Sequence, residues 1–142
     1  MTTTKLTRVC FIRVTDNASK LQKLCAMIHD HFIKKDKVLI VVPSTEAAKY
    51  IDQLLWRMPE ESFVPHAIAS GATKEQIAIT TNLTNLNSAS VLVNLLSNIH
   101  PNPGPVDLIY ELLDLTSKEK EEISRKKQDN YRNAGHVVEE IL

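Results

Sequence analysis

The side chains that could support acid–base, nucleophilic or metal chemistry are present in this sequence but are not grouped. The five histidines are widely spread, and they are His29, His31, His66, His100 and His136. The two closest are only two positions apart, so on a helix they would face different sides and could not share a metal ion. The three glycines lie at positions 71, 104 and 135, too far apart for a Gly-x-Ser-x-Gly nucleophile elbow. The sequence therefore predicts no catalytic constellation and no metal site.

Nucleotide binding also lacks its usual sequence signature. The turn after the first predicted strand is Thr15-Asp16-Asn17-Ala18, which contains no glycine. A pyrophosphate must approach backbone N–H groups closely, and the carboxylate of Asp16 would repel it. Neither common type of Gly-rich phosphate loop occurs elsewhere in the chain. We therefore expect no cofactor, and a nucleotide-binding enzyme is kept only as a lesser alternative.

The composition is that of one ordinary globular domain. Hydrophobic residues make up 43% and charged residues 24% of the 142 residues, and 17 basic side chains balance 17 acidic ones. This balance gives no general preference for nucleic acid or for an anionic membrane. No signal peptide and no apolar run of membrane-spanning length is present, so a cytoplasmic location is expected. Cys10 and Cys25 fit no zinc spacing and are predicted to be buried free thiols.

One segment, residues 55–66, stands out because it holds the only tryptophan and reads Leu-Trp-Arg-Met-Pro-Glu-Glu-Ser-Phe-Val-Pro-His. At about 100° per residue, the preceding helix has a single apolar stripe, made of Ala47, Ala48, Ile51, Leu54, Leu55 and Met58. Trp56 falls about 140° from the centre of that stripe, on the polar side. An indole in that position needs a cover. Either residues 62–66 fold back over it or another protein covers it, and the sequence leaves both open.

Hydrophobic periodicity predicts the elements that position these residues. Strands are expected at residues 6–14, 38–42, 64–69, 76–81, 90–96 and 106–113. A helix capped by Asp16 or Asn17 should run to about residue 35, and a second should follow a Ser44 cap. The alternation of strand and helix in the first half implies parallel strands joined by crossovers. We predict one α/β domain over residues 1–142, a Rossmann-like three-layer fold with a mainly parallel central sheet and flanking helices.

A third helix is predicted from a capping box at Thr116-Ser-Lys-Glu119 to about residue 134, with Gly135 as its terminator. It is almost entirely polar. Its thin apolar stripe consists of Ile123, Tyr131 and Ala134, and the opposite side carries Glu121, Arg125, Gln128 and Arg132. Such a helix is either a solvated surface laced with i,i+4 pairs or a cationic surface for an acidic peptide.

Four blocks of the sequence resemble the chi subunit family of bacterial DNA polymerase III. They are Lys37-Val-Leu-Ile, Glu46-Ala-Ala-Lys-Tyr, Leu55-Trp56-x-x-Pro59-x-x-Ser62-Phe63-Val64-Pro65-His66 and Tyr131-Arg132-x-Ala134-Gly135. The third block is the most specific. The resemblance extends over nearly the whole chain, although residues 70–110 share little beyond the order of the elements.

The resemblance implies a non-enzymatic accessory subunit of the clamp loader. A psi-like clamp-loader subunit is the expected partner of one surface, formed by Trp56, Pro59, Phe63, Val64, Pro65 and His66. The acidic, aromatic-tipped C-terminal tail of single-stranded-DNA-binding protein is the expected partner of the last helix, through Arg125, Lys126, Lys127, Tyr131 and Arg132. DNA would be reached only indirectly, and no membrane contact is expected.

Three positions of the last helix depart from the family pattern. Glu121 and Asp129 stand where the family has lysines, and Gln128 stands where it has an aromatic residue. These changes remove positive charge and a stacking surface, at about 1 kcal/mol for each charge-assisted hydrogen bond lost to an acidic tail. The alternative is a stand-alone protein-interaction module with the same fold and a different partner.

Overall fold

The computed structural model describes residues 7–57 and 64–141. Within them the chain forms seven strands and three helices. The strands are β1 (Arg8–Val14), β2 (Val38–Val41), β3 (Ala67–Ile68), β4 (Ile77–Thr80), β5 (Val91–Asn94), β6 (Leu108–Asp114) and β7 (Val137–Ile141). The helices are α1 (Asn17–Ile33), α2 (Thr45–Arg57) and α3 (Lys118–Asn133).

All seven strands belong to one sheet in the order β3-β4-β2-β5-β6-β1-β7, and every pairing between them is parallel. The carboxyl ends of the strands therefore share one edge, and each of the three helices begins near it because each follows a strand. The predicted α/β architecture with a parallel sheet and flanking helices is confirmed.

The two faces of the sheet are covered differently. On one face α1 and α2 bury residues such as Ile28 and Leu55 against the strands. On the other face α3 covers β6 and β1, where Tyr131 packs beside Phe11. The centre of this second face is covered by the loops after β4 and β5. Strand β2 is buried on both sides, which explains its continuous apolar sequence.

Local sequence signals set most of the helix ends as predicted. Asp16 caps α1 by accepting the backbone N–H of Ser19 at 2.8 Å. The hydroxyl of Ser44 accepts the N–H of Ala47 at 3.1 Å at the start of α2. Beyond α3, Gly135 has a φ of +90°, in the left-handed region where glycine ends helices at little cost.

The cap of α3 was predicted one residue too early. Ser117, not Thr116, accepts the backbone N–H of Lys120, at 3.2 Å. The hydroxyl of Thr116 instead donates to the carboxylate of Asp114 at 2.5 Å. The predicted capping box with Glu119 is not formed, because the backbone N–H of Thr116, which the box would give to Glu119, donates to the carboxylate of Asp114 at 3.0 Å.

Strand β7 was not predicted. It pairs in parallel with β1 and forms one edge of the sheet. Its sequence, Val-Val-Glu-Glu-Ile, has neither the alternation of a half-buried strand nor a long apolar run. Its residues are exposed or only partly buried. Because an edge strand of this kind buries few side chains, its sequence lacks the apolar pattern by which strands are recognised.

Candidate functional site

The indole of Trp56 lies on the solvent side of α2. The helix buries Ala48, Ile51, Leu54 and Leu55 against the sheet. Trp56 is 49% exposed, as the helical spacing predicted. An exposed aromatic side chain of this size is available for contact with another molecule.

His66 supports the indole from the chain segment that follows α2. The two ring centroids are 4.4 Å apart, with the rings inclined by 46°. The Nδ1 atom of His66 lies 2.7 Å from the carbonyl oxygen of Val64, and Nε2 lies 3.0 Å from both the carbonyl and a carboxylate oxygen of Asp52. Each ring nitrogen thus faces an oxygen acceptor. His66 ties this segment to α2 and covers part of Trp56, so the folded-back explanation holds for part of the indole only.

The other residues predicted for this surface divide by location. Pro59 and Phe63 lie outside the described residues. Pro65 is exposed, but Val64 packs in the core beneath α2 and His66 is buried. The prediction that the side chains of these two residues face a partner is therefore corrected: they support the surface from inside.

One exposed apolar side chain near this surface was missed. Ile68 lies on β3, which packs beside α2, and is 47% exposed. Its signal in the sequence was an isoleucine in a two-residue edge strand, where a solvent-exposed position would normally be polar. We call Trp56, Pro65 and Ile68 the indole surface.

The two arginines predicted for an acidic tail lie on the exposed side of α3, and both already have acidic partners. The Nη1 atom of Arg125 is 3.2 Å from the carboxylate of Glu140 on β7, and its Nε atom is 3.7 Å from Glu121. The Nη1 atom of Arg132 is 3.4 Å from Asp129. Exposed pairs of this kind contribute up to about 1 kcal/mol each. Two of these three acids are the departures from the family pattern, so they compensate the arginines within the helix itself.

Lys126 is exposed on α3, but Lys127 and Tyr131 point into the protein, which corrects the prediction that they form a binding surface. The Nζ atom of Lys127 lies 2.5 Å from the carboxylate of Glu111 on β6 and donates to the carbonyl of Leu96 at 2.7 Å. The hydroxyl of Tyr131 donates to the same carboxylate at 2.5 Å, and the side-chain amide of Asn94 does so at 2.7 Å. Glu111 thus collects three hydrogen bonds in the interior.

This buried carboxylate decides which side of α3 faces the sheet. Burial raises the pKa of Glu111, whereas the ammonium of Lys127 and the hydrogen bonds to the carboxylate act in the opposite direction. An unpaired charge in this position would be strongly destabilising, so the helix turns a polar side inward: Ser124, Lys127, Gln128 and Tyr131. The predicted apolar stripe is wrong, because Ile123 is 41% exposed and Ala134 is also exposed. In the sequence, the sign of this buried charge was a single glutamate inside an otherwise mainly apolar strand.

A cleft of about 590 Å³ opens at the carboxyl ends of β2, β5 and β6, between α1, α2 and α3. Its lining is mainly apolar and includes Leu21, Ala47, Tyr50, Leu95, Leu112 and Ile123. Charged side chains also reach it, and these are Lys20, Glu111, Asp114, Lys120 and Lys127. Clefts at this edge are the usual ligand position in open parallel sheets. This cleft was not predicted from the sequence.

Asp114 lies at the end of β6 in the wall of the cleft. Its carboxylate accepts a hydrogen bond from Nζ of Lys20 at 2.9 Å, and another from the hydroxyl of Thr116. Burial raises the pKa of Asp114, but these hydrogen bonds outweigh it, so the pKa lies below its ordinary value. The lysine and the aspartate therefore form an ion pair at neutral pH.

In the described part of the chain, no group of three or more His, Cys, Asp or Glu side chains is placed to hold a metal ion. None of the helices there is long and apolar enough to cross a membrane. Cys10 and Cys25 are free and buried, as predicted. Burial raises the pKa of the Cys25 thiol to about 11, which makes it a poor nucleophile at neutral pH.

A sequence model of the family described as DNA polymerase III chi subunit, HolC, matches residues 6–139 of the 142-residue chain. No individual curated protein matched the chain.

Proposed function

The chain belongs to the DNA polymerase III chi subunit family, and from that membership we propose that it is a non-catalytic adaptor of the clamp loader in the cytoplasm. One surface docks on a psi-like subunit, and a second captures the acidic C-terminal tail of single-stranded-DNA-binding protein. DNA is reached only through that second partner. Such bridging acts by raising the effective concentration of one assembly beside the other, not by accelerating a chemical step.

The observation that carries the proposal is the half-exposed indole of Trp56. A tryptophan that a partner removes from water is among the strongest contributors to protein association. The contact with His66 holds the ring in place, which lowers the conformational entropy lost on docking. Pro65, in the segment after α2, and Ile68, on β3 beside α2, are further exposed apolar side chains. Pro59 and Phe63 belong to the proposed interface by their place in the family motif.

The tail-binding half of the proposal rests on α3. Arg125, Lys126 and Arg132 form its exposed cationic side. Lys127 and Tyr131 act indirectly in this proposal, because they anchor the helix to the sheet through the interior. An acidic tail that binds the arginines must displace the carboxylates already paired with them, so each contact adds less affinity than it would at a free cation.

The test uses the complete chain with the psi-like subunit and the single-stranded-DNA-binding protein of the same organism. We expect a 1:1 complex with the psi-like subunit in size-exclusion chromatography with light scattering. We also expect the intact single-strand-binding protein, but not a version without its C-terminal tail, to bind in calorimetric titration. Failure of both interactions would refute the adaptor function.

A second function, a stand-alone interaction module with a different partner, is favoured by one observation. Both arginines of α3 pair with acids of the same chain, which leaves less positive charge for an acidic tail. Under this alternative the indole surface still binds a protein, but neither the psi-like subunit nor the tail is that protein. The chromatography and the titration described above separate the two functions.

A further inference from the structure

Strand β7 forms an edge of the sheet that lacks the usual protections against pairing with another chain. Among the residues that the structure describes, no strand pairs with its outer side. It is five residues long, pairs with β1 in unbroken register and contains neither proline nor lysine. The opposite edge strand, β3, has only two residues. Natural sheets protect their edges with short strands, bulges, proline or lysine, so β3 is protected and β7 is not.

The side chains of β7 divide between the two faces of the sheet. Val138 packs in the core beneath α3, and the carboxylate of Glu140 accepts hydrogen bonds from two side chains of that helix, each at 3.2 Å. Because successive side chains of a strand alternate in direction, Val137, Glu139 and Ile141 face the other side. Val137 is 44% and Ile141 43% exposed. Two exposed apolar side chains therefore lie on one face, at the two ends of the unpaired edge.

The acidic residues of β7 have positive partners from the same chain. The carboxylate of Glu139 lies 2.7 Å from the guanidinium of Arg8 on β1, and that of Glu140 lies 3.2 Å from Arg125 on α3. Like charges directly opposite each other on paired strands are destabilising, and these arginines reduce that repulsion. The edge can therefore approach another acidic strand.

The sequence of β7 is complementary to itself in one antiparallel register. A two-fold axis through Glu139 pairs all five residues of one copy with all five of a second copy. Val137 of each copy then lies opposite Ile141 of the other, on the same face of the joined sheet. Such apolar cross-strand pairs stabilise antiparallel strands. This match is a property of the strand with itself, which favours a second copy over an unrelated extended segment.

We propose that two copies of this chain associate through their β7 strands in antiparallel orientation, so that the two sheets become one. The indole surface lies beside β3 at the opposite edge, and the association leaves it free. Two copies of the chain then carry two copies of the psi-like subunit, and the ratio stays 1:1. Because only five residues pair from each copy, the contact is small, and we expect a weak dimer that forms at high protein concentration.

The first test is sedimentation equilibrium of the complete chain alone, at concentrations from about 10 µM to about 1 mM. We expect the average mass to rise from that of one chain towards that of two. Val137→Lys places a charged side chain on the edge and should weaken association at least tenfold. Leu83→Lys is the matched control, because this side chain in the loop after β4 is 46% exposed, close to the 44% of Val137. It should associate within threefold of the unmodified chain.

The second test determines the register. Val137→Cys and Ile141→Cys are prepared as separate proteins and exposed to a mild oxidant, either alone or as an equal mixture. In the mixture the two new cysteines lie directly opposite each other, close enough for a disulfide, whereas in either variant alone they lie about 14 Å apart. We expect at least tenfold more cross-linked dimer in the mixture. The native Cys10 and Cys25 are buried and should not react.

Each result that contradicts the proposal has its own meaning. A chain that stays monomeric up to about 1 mM overturns it. Association that Val137→Lys leaves unchanged, or equal cross-linking in the mixture and in the separate variants, places the contact elsewhere and overturns it as well. If the chain is monomeric and Val137→Lys, but not Leu83→Lys, loses binding of the psi-like subunit, the edge receives that partner instead of a second copy.

Discussion

The ammonium group of Lys127 and the carboxylate of Glu111 form a buried ion pair that joins α3 to β6, with Nζ 2.5 Å from Oε1. The pair explains how a helix with very few apolar residues packs on the sheet. The hydroxyl of Tyr131 and the amide of Asn94 complete the hydrogen bonding of the carboxylate, so neither charge lies in the interior without a partner.

Replacing Lys127 with Met should reduce the free energy of unfolding at pH 7 by about 3 kcal/mol, because Glu111 would stay buried without its counter-ion. Burial already raises the pKa of Glu111, and loss of the ammonium group raises it further. A carboxyl group with a raised pKa in the folded state takes up protons on folding, so its penalty shrinks as the pH falls. Urea unfolding should therefore find a smaller deficit at pH 5 than at pH 7.

The matched control for this prediction is Lys126→Met, at the exposed neighbouring position. It should change the free energy of unfolding by less than about 0.5 kcal/mol at either pH. A deficit of Lys127→Met that is the same at both pH values would show that Glu111 does not titrate in response.

Replacing Asp114 with Asn should cost about 1 kcal/mol of stability at pH 7 through loss of the partly buried pair with Lys20. The pKa of Asp114 is lowered in the folded state. Its contribution is therefore present above the unfolded pKa of about 3.9 and disappears as the pH falls through the lower folded value. Denaturant midpoints of the two proteins should converge as the pH is lowered below about 3.9, whereas the exposed Asp30→Asn should match the unmodified chain at pH 7. A difference that persists in acid would contradict the assignment.

Replacing Trp56 with Ala should weaken binding of the psi-like subunit at least tenfold while leaving the domain folded. The lost contact with His66 should cost about 1 kcal/mol of stability. Removing a tryptophan from a core would cost about 3–5 kcal/mol instead, so calorimetric binding and chemical unfolding together distinguish the two roles. Leu83→Ala removes a side chain of similar exposure, 46%, from the loop after β4 and should not alter binding. A variant that loses about 3–5 kcal/mol of stability but still binds the psi-like subunit would place the indole in the core.

Replacing Gly135 with Ala should lower the free energy of unfolding by about 1 kcal/mol, because the residue has a φ of +90°. A methyl group there would meet no atom within 4 Å, so the cost would come from the backbone conformation alone. Gly71→Ala is the matched control, since that position also has open space but no positive φ. Equal effects in thermal unfolding would mean that the helix end does not depend on glycine.

Several features could be predicted because they depend on neighbours in the sequence. The apolar run from Val38 identified a strand buried on both faces, and Asp16 and Ser44 marked the starts of two helices. The spacing of apolar residues along α2 placed Trp56 on the exposed side. Each of these follows from the period of a helix or strand, or from a cap that reaches three residues along the chain.

Other features of the candidate site could not be obtained in this way. The cap of α3 lies at Ser117, and the backbone N–H of Thr116, which the predicted capping box would use, donates to Asp114 instead. The cleft combines side chains from α1, α2, α3 and the ends of three strands, and these elements meet there only when the sheet has formed. The covering of the indole by His66 depends on where the chain returns after α2.

By itself, the sequence determined the order of the elements, the parallel class of the sheet and the family, because periodicity, caps and motifs are recorded in short stretches of chain. The tertiary structure alone decided which side of α3 is buried and which of its basic side chains pair with acidic residues. Glu111 and Lys127 are 16 positions apart and meet only when β6 and α3 pack together. Arg125 meets Glu140 only when β7 joins the sheet. The physical reason is that the cost of an unpaired buried charge depends on neighbours in space, which the helical period does not contain.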